Sequence, residues 1–172
     1  MKSNNRILII VVMIIGAAAC RLLTNYFHLW NFTPIAAIGL FAGATIKDKK
    51  LTFLVPLVAM FLTDIILGLH SGLFIIYFCL TIITLIGIWL ENRQSPINIF
   101  GASLLSSLLF FIITNFFVWF QNPMHAQTIQ GLIGCYTIAI PFFGNTIAGD
   151  LFFSGVLFGG YALLNSKSKK LI

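Results

Sequence analysis

The sequence predicts an all-α integral membrane protein, a bundle of six transmembrane helices with both termini cytoplasmic. Two observations carry this expectation. The 172-residue chain is 59% hydrophobic and only 8% charged, with mean hydropathy +1.02, so it has too little polar surface to cover a water-soluble globule. Folded into six crossings, Lys2, Arg6, Lys47, Lys49, Lys50, Arg93, Lys167, Lys169 and Lys170 all fall on one side, the pattern that places basic loops in the cytoplasm. Arg21 alone falls on the other side, near the acids Asp64 and Asp150, and asks for a functional explanation. The net charge of +6 then reflects topology and attraction to the anionic lipid of the bilayer, with no nucleic acid implied.

The chain reads as one polytopic domain, residues 1–172, in the cell inner (cytoplasmic) membrane, with spans at about 7–23, 32–46, 51–69, 73–90, 97–120 and 142–164. Lys2 and Arg6 ahead of Ile7–Ala19 have the form of a signal peptide, and Ala17-Ala18-Ala19-Cys20 faintly that of a lipoprotein cleavage site. Ala17 is a poor match three positions before the cysteine, which favours a retained first helix. Arg21 sits at its outer end, where a long side chain snorkels or turns inward. Thr24 to Asn31, carrying Asn25, Tyr26, His28 and Trp30, suits the outer interface.

Pro34 fits the first turn of the second helix, which is rich in small residues. Its Gly39-x-x-x-Gly43 step permits close backbone approach, either inside the bundle or against another subunit. Lys47-Asp48-Lys49-Lys50 closes that helix. The third crossing, Leu51–Leu69, passes through Pro56, His70-Ser71-Gly72 makes an outer turn, and Leu73–Leu90 returns to the polar loop Glu91–Pro96. The fifth crossing follows over Ile97–Phe120, and Gln121–Gln130 is the most polar outer stretch; His28, His70 and His125 read as solvated loop residues. Ile129–Leu164 holds too many apolar residues for one span, since about twenty suffice. Pro141 and Gly144 suggest a division into an extra outer interfacial or re-entrant helix, Ile129–Ile140, and a sixth crossing, Phe142–Leu164.

Counting along these helices brings the unusual residues to a similar depth. Asp64 lies about 20 Å above the inner end of the third helix, Asp150 about 22 Å above that of the sixth, and Asn115 slightly shallower on the fifth. A charged carboxylate near mid-membrane costs on the order of 3 kcal/mol, so these residues should face the interior and find partners, and a network of Arg21 with Asp64 or Asp150 would lower that cost. Ser107, Phe111, Asn115 and Trp119 share a helix face, as do Thr146, Asp150 and Ser154, and as do Tyr77 and Thr81. Asn145 and Tyr136 flank the outer entrance. Such a constellation reads as an outward-facing small-molecule pocket, or as a polar knot that only fixes helix positions.

The chain carries no Walker loop, H-E-x-x-H, G-x-S-x-G or Cys/His ligand spacing, so no enzyme activity, cofactor or metal is expected. Two intramembrane aspartates raise an aspartyl protease, but Ile147 stands where the first glycine of G-x-G-D belongs, before Ala148-Gly149-Asp150. Cys20, Cys79 and Cys135 lie in or beside apolar runs and read as packed thiols.

The run Asn31-Phe32-Thr33-Pro34-Ile35-Ala36-Ala37, the segment from Pro56 through Thr63-Asp64 to Gly68, the stretch from Phe110-Phe111 through Thr114-Asn115 to Trp119, and Pro141-Phe142-Phe143-Gly144-Asn145-Thr146 resemble an uncharacterised family of small bacterial six-helix membrane proteins. That family in turn resembles the substrate-binding S components of energy-coupling-factor (ECF) vitamin transporters. The resemblance implies a bundle that captures a vitamin-like solute near the outer surface and topples against a transmembrane coupling subunit powered by separate ATPases. Small residues on the first helix make that contact in S components; here Gly16, Ala17 and Ala18 are small but lack a clean four-residue spacing. Solitary S-component-like proteins include cobalamin binders that contact cobalt through a cysteine, a comparison that Cys79 beside Tyr77 invites.

The residues then take expected roles at a substrate site. Arg21, Asp64 and Asp150 set its charge and favour a neutral or cationic ligand, Asn31, Asn115 and Asn145 supply paired donors and acceptors, and Tyr77, Trp119 and Tyr136 stack on a flat ligand. The alternative is a non-transporting membrane scaffold or assembly protein.

Overall fold

A computed structural model describes residues 3–69 and 71–169. Lys2, His70 and Lys170 lie outside the described residues, as do the side chains of Arg6, Lys167 and Lys169. Six helices and no strand make up the described residues: α1 (Ser3–Tyr26), α2 (Ile35–Thr45), α3 (Lys49–Leu67), α4 (Leu73–Trp89), α5 (Pro96–Gln121) and α6 (Ile129–Lys169). Three stretches, Lys49–Leu67, Pro96–Gln121 and Ile129–Leu164, are long and apolar enough to cross a membrane, and Ile10–Tyr26, α2 and α4 are shorter apolar helices. Leu8, Val12, Ile66, Phe74, Phe100 and Ile138 are exposed on the outside of the bundle, an apolar perimeter suited to lipid.

Local chemistry sets the helix ends. The Asp48 carboxylate caps α3 by accepting from Lys50 N at 2.9 Å, and Ser95 Oγ caps α5 by accepting from Asn98 N at 3.2 Å, each satisfying an orphan amide of the first turn. Gly68, at φ +103°, ends α3 in a conformation that side chains rarely adopt. At the basic end, Lys49 Nζ pairs with Glu91 Oε2 at 2.9 Å and Gln94 Nε2 donates to Ala44 O at 2.8 Å, tying the α2–α3 and α4–α5 connections together.

α2 is the hub and packs against all five other helices. Gly39 and Gly43 face α4 inside the bundle: a Cβ on Gly43 would lie 2.6 Å from the carbonyl carbon of Gly87, and one on Gly87 would lie 2.8 Å from Leu40 Cα. Backbone therefore meets backbone, as the small-residue step permits.

Two boundaries differ from the sequence expectation. The second crossing, expected over 32–46, is a helix of 11 residues, about 16 Å long. Residues 27–34 stay non-helical because His28 and Asn31 turn through positive φ (56° and 63°), while Phe32 is held between Phe152 and Phe153, at ring distances of 5.9 and 5.4 Å. The expected break at Pro141 and Gly144 is also corrected: α6 is one continuous 41-residue helix with Pro141 inside it. A proline removes one N–H from the ladder, whereas a chain break in apolar surroundings would strand several backbone groups. The stretch 129–140 is not a separate interfacial helix; it packs along α5, with Tyr136 Oη donating to Ile112 O at 2.6 Å.

Gly43→Ala and Gly87→Ala should each cost about 1–3 kcal/mol through overpacking. Gly155→Ala, which meets nothing within 4 Å, should leave the thermal transition in detergent unchanged or raised. Equal melting of all three variants would remove the α2–α4 contact as a determinant of stability.

Candidate ligand cavity

A cavity of about 920 Å³ lies at the end opposite the Lys49–Glu91 pair, between the first turns of α4, the second half of α5 and the middle of α6. Helical spacing aims its lining inward. On α5 these residues include Phe110, Phe111, Thr114, Phe117, Val118 and Gln121, and on α6 Ala139, Phe142 and Thr146, sets that share one helix face. Trp30 and Asn31 close it from the loop before α2. α5 and α6 stay in contact along one side of this space, through the Tyr136 bond to Ile112 O, a Phe111–Phe143 ring stack at 4.4 Å and the Ser107 bond to Asp150.

The cavity wall carries no formally charged side chain among its lining residues. Asn115 Nδ2 is committed to Phe111 O at 2.8 Å, Thr114 Oγ1 to Phe110 O at 2.7 Å, and Thr146 Oγ1 to Phe142 O at 2.9 Å. Thr114 and Thr146, with their only hydroxyl hydrogens donated to their own helices, keep oxygen lone pairs, while Asn115 keeps Oδ1 as an acceptor and one N–H as a donor. Trp30, Phe110, Phe111, Phe117 and Phe142 supply apolar ring surface beside them.

Arg21, Asp64 and Tyr77 are brought together, but in a separate knot joining α1, α3 and α4. Arg21 Nη1 meets Asp64 Oδ1 at 2.7 Å and also donates to Thr63 Oγ1 and to Met60 O. Tyr77 Oη donates to the other carboxylate oxygen at 2.9 Å. Asp64 is buried with both oxygens engaged.

The expected single constellation is corrected by Asp150, which accepts from Ser107 Oγ at 2.6 Å and forms no ion pair among the described residues. It lies one turn below Thr146, above a Ser103–Ser154 hydroxyl contact of 3.4 Å. The two acids therefore sit in different places, and neither they nor Arg21 line the cavity.

Of the nine residues picked from sequence, Asn31 and Asn115 reach the cavity wall. Tyr77 misses it because the lining residue is Ile76, and one step along a helix turns a side chain by about 100°. Three others brace the walls: Asn145 Nδ2 holds Trp30 O at 3.0 Å, Trp119 Nε1 holds Ala126 O at 2.9 Å, and Tyr136 bonds α5 as described. Thr146 and Phe111, which helical spacing adds to the constellation, also line the wall; sequence reasoning missed Thr114 and Gln121 there, and the seven-residue interval between them, two helical turns, was the available signal. Cys20, Cys79 and Cys135 are free thiols, and no three potential metal ligands cluster among the described residues.

The chain belongs to the family of unknown function DUF6580, which matches residues 1–171. Neither the curated proteins nor the solved structures contain a match to it.

Arg21→Met and Asp64→Leu should each destabilise the protein, by about 3–5 kcal/mol where a buried charge is left unpaired, and the double variant should recover much of the loss. Tyr77→Phe should cost about 1 kcal/mol. A double-mutant cycle of melting temperatures checks the coupling; simple additivity of the two losses would show that the pair is not coupled.

Proposed function

We propose that this DUF6580 chain is a membrane protein for binding and uptake of a small solute, the substrate-binding subunit of an importer or a solitary carrier similar to the S components of ECF transporters. The cavity carries the reading: about 920 Å³, within the size range of small-molecule sites, with oxygen acceptors beside aromatic surface. A flat, uncharged, vitamin-like solute that both donates and accepts hydrogen bonds suits it best, because the amides of Asn31, Asn115 and Gln121 line the wall beside the threonine hydroxyls. The sequence argument for a cationic ligand loses its support, because Arg21, Asp64 and Asp150 are committed elsewhere.

The topology that goes with this function has six crossings in the inner membrane and both termini in the cytoplasm. The loop at 27–34 together with α2 makes the second crossing, non-helical backbone being tolerated at depth where protein covers it. The basic loops face the cytoplasm, so the cavity opens outward. A transmembrane coupling subunit with its ATPases is the partner this function calls for, and no enzymatic role is included. The scaffold alternative draws support from the Arg21–Asp64–Tyr77 knot, whose groups satisfy one another without a ligand.

Native mass spectrometry of gently extracted protein should reveal a retained small molecule, and that compound should raise the melting temperature. Asn115→Leu should weaken binding about tenfold, the loss of one good hydrogen bond, with the unliganded melting temperature kept within a few degrees. No retained mass, together with no stabilisation by a panel of vitamins and nucleobases, would favour the scaffold.

A further inference from the structure

A second groove, of about 340 Å³, opens at the basic end between the last turns of α4 and the first turns of α5. Ile86 and Trp89 form one wall, and Ile97, Gly101 and Leu105 form the other. The i, i+4, i+8 spacing keeps that second wall on one face for about 12 Å. Gly101 opens the trough, since a Cβ there would meet nothing within 4 Å. Trp89, Ile97, Gly101 and Leu105 are exposed, so the groove lies on the apolar perimeter and not in the core.

One cation is mounted at its rim. The Arg93 guanidinium lies 5.0 Å from the centroid of the Trp89 ring, and Nη1 donates to Trp89 O at 3.2 Å. Asn98, another lining residue, anchors the Arg93 carbonyl through Nδ2 at 2.9 Å. Lys49 is neutralised by Glu91, but no carboxylate pairs with Arg93 among the described residues. An aromatic stack thus holds an uncompensated guanidinium beside an apolar trough.

We propose that this groove is a binding site for one anionic phospholipid, with an acyl chain along Trp89 and Gly101 and the phosphate on Arg93. An apolar trough alone would take any acyl chain. The guanidinium adds selection for a phosphate that has no compensating positive group, because its planar donors match phosphate oxygens and it sits at the membrane edge where such headgroups lie. The trough of about 12 Å also covers most of the roughly 15 Å that one leaflet of the hydrocarbon core spans, while giving another helix little to pack on.

The test uses the full chain in detergent and native mass spectrometry with phosphatidylglycerol, phosphatidylcholine of the same acyl chains, and glycerol 3-phosphate as the headgroup alone. Phosphatidylglycerol should bind about fivefold more tightly than phosphatidylcholine, the contribution of one basic residue near a membrane surface. Arg93→Gln should remove that preference, Arg93→Lys should keep most of it, and Gly101→Leu, by filling the trough, should weaken both lipids. Equal binding of the two lipids by wild type would overturn the proposal, as would full phosphatidylglycerol binding by Gly101→Leu or binding of glycerol 3-phosphate as tight as that of the lipid. A dimer that dissociates in Gly101→Leu would assign the groove to a second copy instead. Arg93 is exposed, so Arg93→Gln carries the test even if Gly101→Leu does not fold.

Discussion

A central helix too short to cross the bilayer is the constraint on which the rest of this structure depends. α2 runs 11 residues, about half the depth of a hydrocarbon core of about 30 Å. Where it is present, at the basic end, Gly39 and Gly43 bring its backbone against Thr84 and Gly87 of α4 and the interior is closed. Where it is missing, the same space between α4, α5 and α6 is the cavity, roofed by Trp30 and Asn31 of the loop that leads into α2. Packing and cavity are two halves of one geometric fact.

Apolar surroundings also explain how the polar residues are distributed. Among the described residues no buried side-chain nitrogen or oxygen lacks a hydrogen-bond partner, as expected where water is scarce. Thr84, Ser106 and Thr114 return their hydroxyls to carbonyls of their own helices, while Ser107 gives its hydrogen to Asp150. The Arg21–Asp64 ion pair is placed where both carboxylate oxygens can be filled, by Arg21 and Tyr77. Charge is thus consumed in holding helices, and amides, hydroxyls and rings are left for the cavity.

The helical class, the existence of the first five helices and the inward character of Asp64, Asn115 and Asp150 were legible in the sequence, because apolar periodicity and the expense of a submerged charge act locally. The G-x-x-x-G step likewise named its own use, although only the fold identifies Thr84 and Gly87 as what it touches. The 11-residue extent of α2 was hidden: Phe32 and Thr33 are compatible with a helix, and it is the distant Phe152, Phe153 and Gly149 that hold them out of one. Pro141 misled in the opposite direction, since a proline signals a boundary in water more strongly than among packed helices. The split of the polar residues into two sites was also illegible, because depth along a helix places Arg21, Asp64 and Asp150 at one level while azimuth and partner choice decide which of them meet.

The unequal helices have a consequence for the surrounding lipid. The apolar part of α6 covers 36 residues, that of α3 19 residues, and α4 only 17, so the protein meets the bilayer with a rim of uneven height. In the six-crossing topology proposed above, acyl chains beside α4 compress or α6 leans, and either adjustment costs free energy for each ångström of mismatch. In that topology membrane thickness becomes a mechanical load on α6, one wall of the cavity, and so couples the shape of the proposed site to the composition of the lipid around it.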